Sequence, residues 1–174
     1  MNLENLRSLI RDVPDYPKVG VVFKDINPLL ADPDGFDTAI RGMARPYLDS
    51  MIDSVVGIEA RGFIFAAGIA TILTAGVIPV RKPGKLPLST KSVKYALEYG
   101  TDTLEIQTDA ITKGQRVIIV DDVLATGGTM SASIELVRMC GADIVGVCCF
   151  IELDFLKGRE KFDRNIVTSS LINY

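Results

Sequence analysis

The strongest constraint on this chain is a set of short apolar runs with no polar alternation: Ser54–Ile58, Val77–Val80, Arg116–Asp121 and Asp143–Ile151. A strand with one face in water alternates polar and apolar positions, so unbroken runs of this length belong to strands covered on both faces. The segments between them, Gly62–Thr74 and Thr129–Cys140, have helical length. Strand and helix therefore alternate, which predicts an α/β architecture with an open, mainly parallel twisted sheet flanked by helices. Two more helices are predicted upstream. Leu3, Leu6 and Ile10 mark the first, ended by Pro14 and Pro17. The second starts at Asp32-Pro33, an N-cap followed by proline in the first turn, and repeats apolar residues at Phe36, Ile40, Met43, Tyr47 and Met51. With 174 residues, 48% of them hydrophobic, the chain has the size and apolar content of one domain with a substantial core.

Several function classes drop out on composition. Gly62–Val80 contains no charged residue and is long enough to invite a membrane reading. Gly76 and Pro79 interrupt it, however, and the helical part, Gly62–Thr74, spans only about 20 Å at ~1.5 Å per residue against a hydrocarbon core of ~30 Å. A buried helix followed by a buried strand fits better. A net charge of -3 and a pI near 5.0 argue against a protein whose main task is to coat nucleic acid. The chain has no histidine, which removes Ser-His and Cys-His pairs and every zinc site that needs imidazole. Acid/base work falls to carboxylates, Lys or Tyr. Cys140, Cys148 and Cys149 form no C-x-x-C motif, and adjacent residues of a strand point to opposite faces, so they read as reduced structural thiols. The first 15 residues lack the uninterrupted apolar stretch of a signal peptide. Both features predict a cytoplasmic protein.

Between Arg81 and Ile111 the texture changes to Pro, Gly, Lys, Tyr and Thr, with two weakly alternating segments, Val93–Tyr99 and Thr103–Gln107, about Gly100. This predicts a hairpin standing off the sheet, and long excursions of this kind commonly serve as lids.

The most informative segment runs from Val117 to Thr129. An apolar strand ends in two carboxylates, Asp121 and Asp122, and passes through Ala125, Thr126, Gly127, Gly128 and Thr129 into a helix. In an open α/β sheet ligands bind at the carboxyl ends of strands, where this segment is expected. Glycines and threonines at a helix N-terminus offer backbone N–H groups, hydroxyls and the positive end of the dipole, the parts of a phosphate cradle. Glycine also lets the backbone approach phosphate closely. On the glycines alone, a helix cap with a tight turn is an equal reading. The segment is neither a Walker loop, since the required Lys is absent, nor a G-x-G-x-x-G fingerprint. Two carboxylates beside a phosphate repel the ligand unless it also brings hydroxyl donors, a metal ion or a developing positive charge. A phosphorylated ribose whose anomeric carbon becomes cationic meets those conditions.

The same segment resembles the phosphoribosyl pyrophosphate signature of the type I phosphoribosyltransferases. Gly20–Ile26, Ala60-Arg61-Gly62-Phe63, Arg81–Pro87, Tyr95–Gly100, Leu104–Gln107, Glu152-Leu153 and Lys157–Glu160 follow in order along nearly the whole chain. Together they resemble the adenine phosphoribosyltransferase family. The resemblance implies a type I phosphoribosyltransferase fold in a single domain, 1–174, with an N-terminal hood over 1–30 and a flexible hairpin lid over 83–110. It implies purine salvage: adenine and 5-phosphoribosyl 1-pyrophosphate (PRPP) give AMP and pyrophosphate through an oxocarbenium-like transition state. Mg²⁺ would arrive chelated to substrate, with no metal held by protein alone.

Carried over by position, Ala125, Thr126, Gly127, Gly128 and Thr129 would bind the 5′-phosphate, and Asp121 and Asp122 the ribose hydroxyls. Ala60, Arg61, Arg81, Lys82 and Lys85 would bind pyrophosphate; a multiply charged leaving group suits cations that keep their charge. Val22, Phe23, Lys24 and Leu153 would bind adenine. Glu98 and Tyr99, in the lid, would be catalytic together with Arg61. The resemblance further implies a homodimer, with no nucleic-acid or membrane partner. Two rival readings differ in consequence: a nucleotide-sensing regulator keeps the cradle and loses catalysis, whereas a transferase for another base keeps the chemistry and changes the pocket.

Overall fold

The computed structural model describes residues 2–96 and 100–174. It divides into two compact units, Met1–Gly42 and Met43–Tyr174.

In the first unit α1, Leu3–Ser8, is capped by the Asn2 side chain, which accepts from Asn5 N at 2.8 Å. The predicted first helix is thus shorter than its apolar marks suggested, and Ile10 lies beyond it. β1, Arg11–Pro14, pairs antiparallel with β2, Val22–Asp25. The short helix α2, Asn27–Ala31, follows, and then α3, Pro33–Ala44. Asp32 caps α3 as predicted, its Oδ1 accepting from Gly35 N at 2.7 Å. The predicted continuation of that helix to Met51 fails. Pro46 has no N–H to donate, so the chain tightens into a 3₁₀ turn over Arg45–Tyr47, and Met51 has a φ of 46° and is 82% exposed.

The second unit is built on five parallel strands in the order β4-β3-β7-β8-β9. These are β3, Ser54–Ile58; β4, Gly76–Val80; β7, Arg116–Leu124; β8, Asp143–Glu152; and β9, Thr168–Asn173. Three of the unbroken apolar runs form the inner strands β3, β7 and β8, and every residue of β3 is buried; the fourth, Val77–Val80, lies in the edge strand β4, where Val77 is exposed because β4 has a neighbour on one side only. β9 escaped prediction because four of the six residues of its sequence, TSSLIN, are polar, as an edge strand permits. Two helices cover opposite faces. α4, Gly62–Leu73, lies on β3 at Gly57, where a Cβ would come within 2.8 Å of the Ala66 Cβ, and Phe65 stacks on Phe150 at 5.3 Å. α5, Gly128–Met139, packs its Met130, Ile134 and Val137 with Val56, Ile58 and Ile119 of the alternate positions. Cys148 and Cys149 take opposite faces: Cys148 Sγ lies 3.5 Å from the Met43 carbonyl, while Cys149 joins the α5 cluster.

The hairpin consists of β5, Thr90–Ala96, and β6, Thr101–Gln107, paired antiparallel. Its base does not stand off the sheet as expected. Val93, Leu104 and Ile106 are buried in the same cluster as α5, because these apolar positions alternate onto one face. No helix among the described residues is long and apolar enough to cross a membrane.

Candidate active site

Because the five strands are parallel, their carboxyl ends share one edge. From β3 the chain winds outward to β4 on one side; from β7 it winds to β8 and β9 on the other. The boundary between β3 and β7 is therefore a topological switch point, where diverging connections leave a crevice. Of the predicted residues, Arg61, Asp121 and Asp122 lie at this point, and Ala125–Thr129 follow β7 beside it.

After β3 come Glu59, Ala60 and Arg61, with a cis peptide between the first two, and α4 starts at once. Gly62 permits this: a Cβ there would lie 2.9 Å from both Asp121 Oδ1 and the Val120 carbonyl. Across the switch point Arg61 Nε is 2.8 Å from Asp122 Oδ2. Asp122 is 6% exposed and this oxygen has no hydrogen-bond partner among the described residues, so the guanidinium charge offsets its burial. Burial raises the pKa of Asp121 well above the ordinary carboxylate value, and the Asp122 charge raises it further. Burial raises Asp122 as well, against the pull of Arg61. Two carboxylates held this way gain when a ligand supplies hydroxyl donors.

After β7, residues 125–127 turn into α5 with Gly127 at the N-cap in the left-handed region, φ 80°. The N–H groups of Thr126, Gly127, Gly128 and Thr129 have no hydrogen-bond acceptor among the described residues. They are the orphan donors of a helix start, at the positive end of its dipole. Gly127 also lets two chain segments touch, since a Cβ there would overlap the Gly158 carbonyl. At Gly128 a Cβ would meet the Ala96 carbonyl at 3.0 Å, which sets the end of β5 beside the loop.

Arg81 follows β4, and its backbone pairs with Glu105 of the hairpin. Arg81 Nε is 3.4 Å from Glu59 Oε2, and a terminal nitrogen donates to the Lys85 carbonyl at 3.2 Å. Lys82 N donates to Glu59 at 2.7 Å, and Lys82 Nζ lies 3.0 Å from Asp102 on β6. Burial would raise Glu59, but the Lys82 N–H and the Arg81 guanidinium hold its carboxyl below the usual range. Ala60 and Lys85 are exposed at the same edge.

Three polar residues near this edge had received no role from the sequence: Glu59, Asp102 and Tyr95. The Tyr95 hydroxyl accepts from Thr129 Oγ1 at 3.4 Å, linking the hairpin to the start of α5. A cavity of about 580 Å³ opens between the hairpin, Thr126 and Gly128, and Phe155 and Leu156. The position of Glu59 at a strand end could have flagged it; the pairing of Asp102 depends on hairpin register. Leu153 follows β8, its N–H bonded to the Leu124 carbonyl at 3.0 Å. In the first unit Val22, Phe23 and Lys24 lie on β2, where Phe23 meets Tyr16 edge-on at 5.3 Å and Lys24 pairs with Asp12 at 2.7 Å. Glu98 and Tyr99, expected to be catalytic, lie outside the described residues. Those residues contain no group of three or more Cys, Asp or Glu arranged to hold a metal ion.

A family model described as "Phosphoribosyl transferase domain" matches residues 30–173. The adenine phosphoribosyltransferase of Acidobacterium capsulatum is 55% identical over 174 residues, covering 100% of this chain and 96% of its own. The crystal structure of adenine phosphoribosyltransferase from Thermoanaerobacter pseudethanolicus superposes with a TM-score of 0.96 at 48% identity, covering 99% of this chain and 100% of its own. The Saccharomyces cerevisiae enzyme, solved in complex with D-2,5-dideoxy-2,5-imino-altritol 1,6-bisphosphate and adenine, gives a TM-score of 0.91 at 39% identity, covering 97% of each chain. A carboxylate pair and a helix start meeting at the switch point, in a chain this similar over its full length, have one reading: it belongs to the adenine phosphoribosyltransferases of the type I phosphoribosyltransferase family.

Proposed function

We propose that this chain is a purine salvage enzyme that transfers 5-phosphoribose from PRPP to adenine, forming AMP and pyrophosphate. The observation that carries the reading is the convergence at the β3/β7 switch point: orphan N–H groups of residues 126–129 beside the buried Asp121-Asp122 pair, with Arg61 bridging the two turns.

The α5 start and its threonines bind the 5′-phosphate, and Ala125 completes that loop. Asp121 and Asp122 accept the ribose hydroxyls and, once ionised, stabilise positive charge developing at the anomeric carbon. Ala60, Arg61, Arg81, Lys82 and Lys85 receive the pyrophosphate. Most of these cations are matched to carboxylates in the ligand-free chain, so an incoming diphosphate exchanges one set of charge partners for another. Asp121 and Asp122 are the hard oxygen donors that would be available to a Mg²⁺ ion carried in by the substrate, and two carboxylates alone would not hold it. The ion supplies neutralisation of diphosphate charge. Val22, Phe23 and Lys24 are assigned to adenine, as is Leu153, by the family resemblance. Glu98 takes or relays the proton that adenine sheds, since the chain has no histidine, and Tyr99 shields the reacting centre from water.

The reading extends to a single functional domain with hood 1–30 and lid 83–110, a homodimer, and a cytoplasmic location. Exposed Ile64 and Val77 near the sheet edge support assembly, and three unpaired cysteines support a reducing compartment. The test is direct: protein, PRPP, Mg²⁺ and a panel of purines are mixed and nucleotide and pyrophosphate are measured. Equimolar AMP and pyrophosphate with adenine as the preferred base is the expected result. Binding of PRPP without turnover favours the regulator, and preference for another purine moves the specificity.

A further inference from the structure

The motif Lys157–Glu160 and the residue Glu152 carry chemistry that the reading above leaves unused. Glu152 ends β8, is 3% exposed, and its carboxylate receives three side-chain donors. Arg159 donates twice, from Nε at 2.6 Å and from a terminal nitrogen at 2.5 Å, and Ser170 Oγ donates at 2.7 Å. The same guanidinium donates to the Thr168 carbonyl at 3.0 Å. One side chain thus fastens the turn Gly158–Lys161 to both β8 and β9.

The neighbouring residue is what reaches the phosphate loop. Gly158 is buried; a Cβ there would overlap the Ala125 carbonyl and lie 3.1 Å from the Leu124 side chain. Conversely, a Cβ at Gly127 would overlap the Gly158 carbonyl. The two backbones meet at a distance that side chains on either forbid. The far end of the turn is tied down as well, with Ser131 Oγ of α5 donating to the Lys161 carbonyl at 3.3 Å. Leu153, by contrast, has anchors that do not involve Arg159: its N–H bonds Leu124 O, and Asp154 N bonds Tyr174 O at 2.9 Å.

We propose that the Glu152–Arg159 pair positions the phosphate loop, holding the Gly158 backbone against Ala125 and Gly127 so that the N–H groups of 126–129 stay aimed at the 5′-phosphate. It rests on the assignment of that loop to phosphate, and it makes Arg159 and Glu152 positioning residues without substrate contact. A two-pronged guanidinium is required, because an ammonium cannot make both bonds to Glu152 and also reach Thr168.

The experiment compares Arg159→Met, Arg159→Lys and Ser170→Ala in the full chain, by steady-state kinetics and by calorimetry with AMP. The KM for PRPP and the Kd for AMP should rise about tenfold or more in both Arg159 variants and less in Ser170→Ala, which removes one of three donors. The KM for adenine should stay within about twofold, and kcat at saturating PRPP within about threefold. A purely structural pair would lower the melting temperature and leave this split unmoved. Equal rises in both KM values, or unchanged constants in a less stable protein, overturn the proposal. Should Arg159→Met fail to fold, Arg159→Lys and Ser170→Ala still decide. A Gly128→Pro variant, which removes one of those N–H groups, that folds, turns over PRPP and keeps the wild-type AMP affinity would instead overturn the phosphate assignment beneath it.

Discussion

The two turns that meet at the switch point, β3 to α4 and β7 to α5, each start a 12-residue helix at the same edge of one sheet, yet they offer a ligand different things. The first offers charge. Glu59 and Arg61 flank its cis peptide, and both are engaged with oppositely charged side chains from elsewhere. The second offers backbone: no charged side chain lies between Ala125 and Thr129, and its N–H groups are unsatisfied within the described chain. Where a ligand must bring a dianionic phosphate beside two buried carboxylates, neutral N–H donors bind it without a counter-charge that would pair with Asp121 and Asp122. A leaving pyrophosphate needs mobile cations instead.

The comparison can be tested at its weakest points. The largest effect belongs to neither turn. If both only bind and orient, proton transfer rests with Glu98, and Glu98→Gln should lower kcat by about 10²- to 10⁴-fold with the KM for PRPP nearly unchanged. A loss below about tenfold across the pH range would return the proton to water or to one of the turns.

Next, Gly127→Val should destabilise the chain by roughly 3 kcal/mol or more, since it combines a β-branched residue at φ 80° with overlap on Gly158. Chemical denaturation measures this directly. A folded variant of normal stability with selectively lost AMP binding would mean that the loop's glycine serves phosphate and not packing.

Arg61→Gln should follow with a loss of about 10- to 100-fold in kcat/KM for PRPP, because it removes the cation proposed to receive pyrophosphate and leaves Asp122 buried without its ion pair. If Arg61→Gln changes only melting temperature, the first turn is structural.

The smallest effect is a proton count. The raised pKa of Asp121 in the folded chain means that its ionisation is opposed by the fold: stability from the protonated form is present at low pH and falls as pH rises through the raised value. A ribose that donates hydroxyls favours the ionised form, so AMP should bind more tightly as pH rises from 3.8 through that value, with proton release. Calorimetry in two buffers of different ionisation heat counts the protons. AMP's own phosphate releases protons near pH ~6, so the diagnostic is the difference from Asp121→Asn, which should lose the carboxylate's share. Identical release by both proteins removes Asp121 from the ribose.

Much of this was legible in one dimension. Ser54–Ile58 and the cores of β7 and β8 have no polar alternation, and burial on both faces needs nothing beyond that pattern. The turn into α5 at Gly127-Gly128 was legible because its residue types suit only a few backbone tasks. The strands β1, β2 and β9 were not: four to six residues with mixed polarity carry no period, and pairing with a neighbour is what makes them strands. The end of α3 was misplaced because an apolar face persists past Pro46 although the missing N–H stops the helix.

Sequence by itself determined the parallel sheet, its covering helices and the residue types at the strand ends, since those follow from local period and from the conformations each residue tolerates. Tertiary structure alone decided who faces whom. Arg61 meets Asp122 because β3 and β7 are neighbours although the two residues are 61 positions apart in the sequence, Ser54 pairing with Val117 and Gly57 with Val120. Gly127 is glycine because the turn after β8 returns to touch it. Contacts of that range depend on strand order, and strand order is fixed only when the whole core packs.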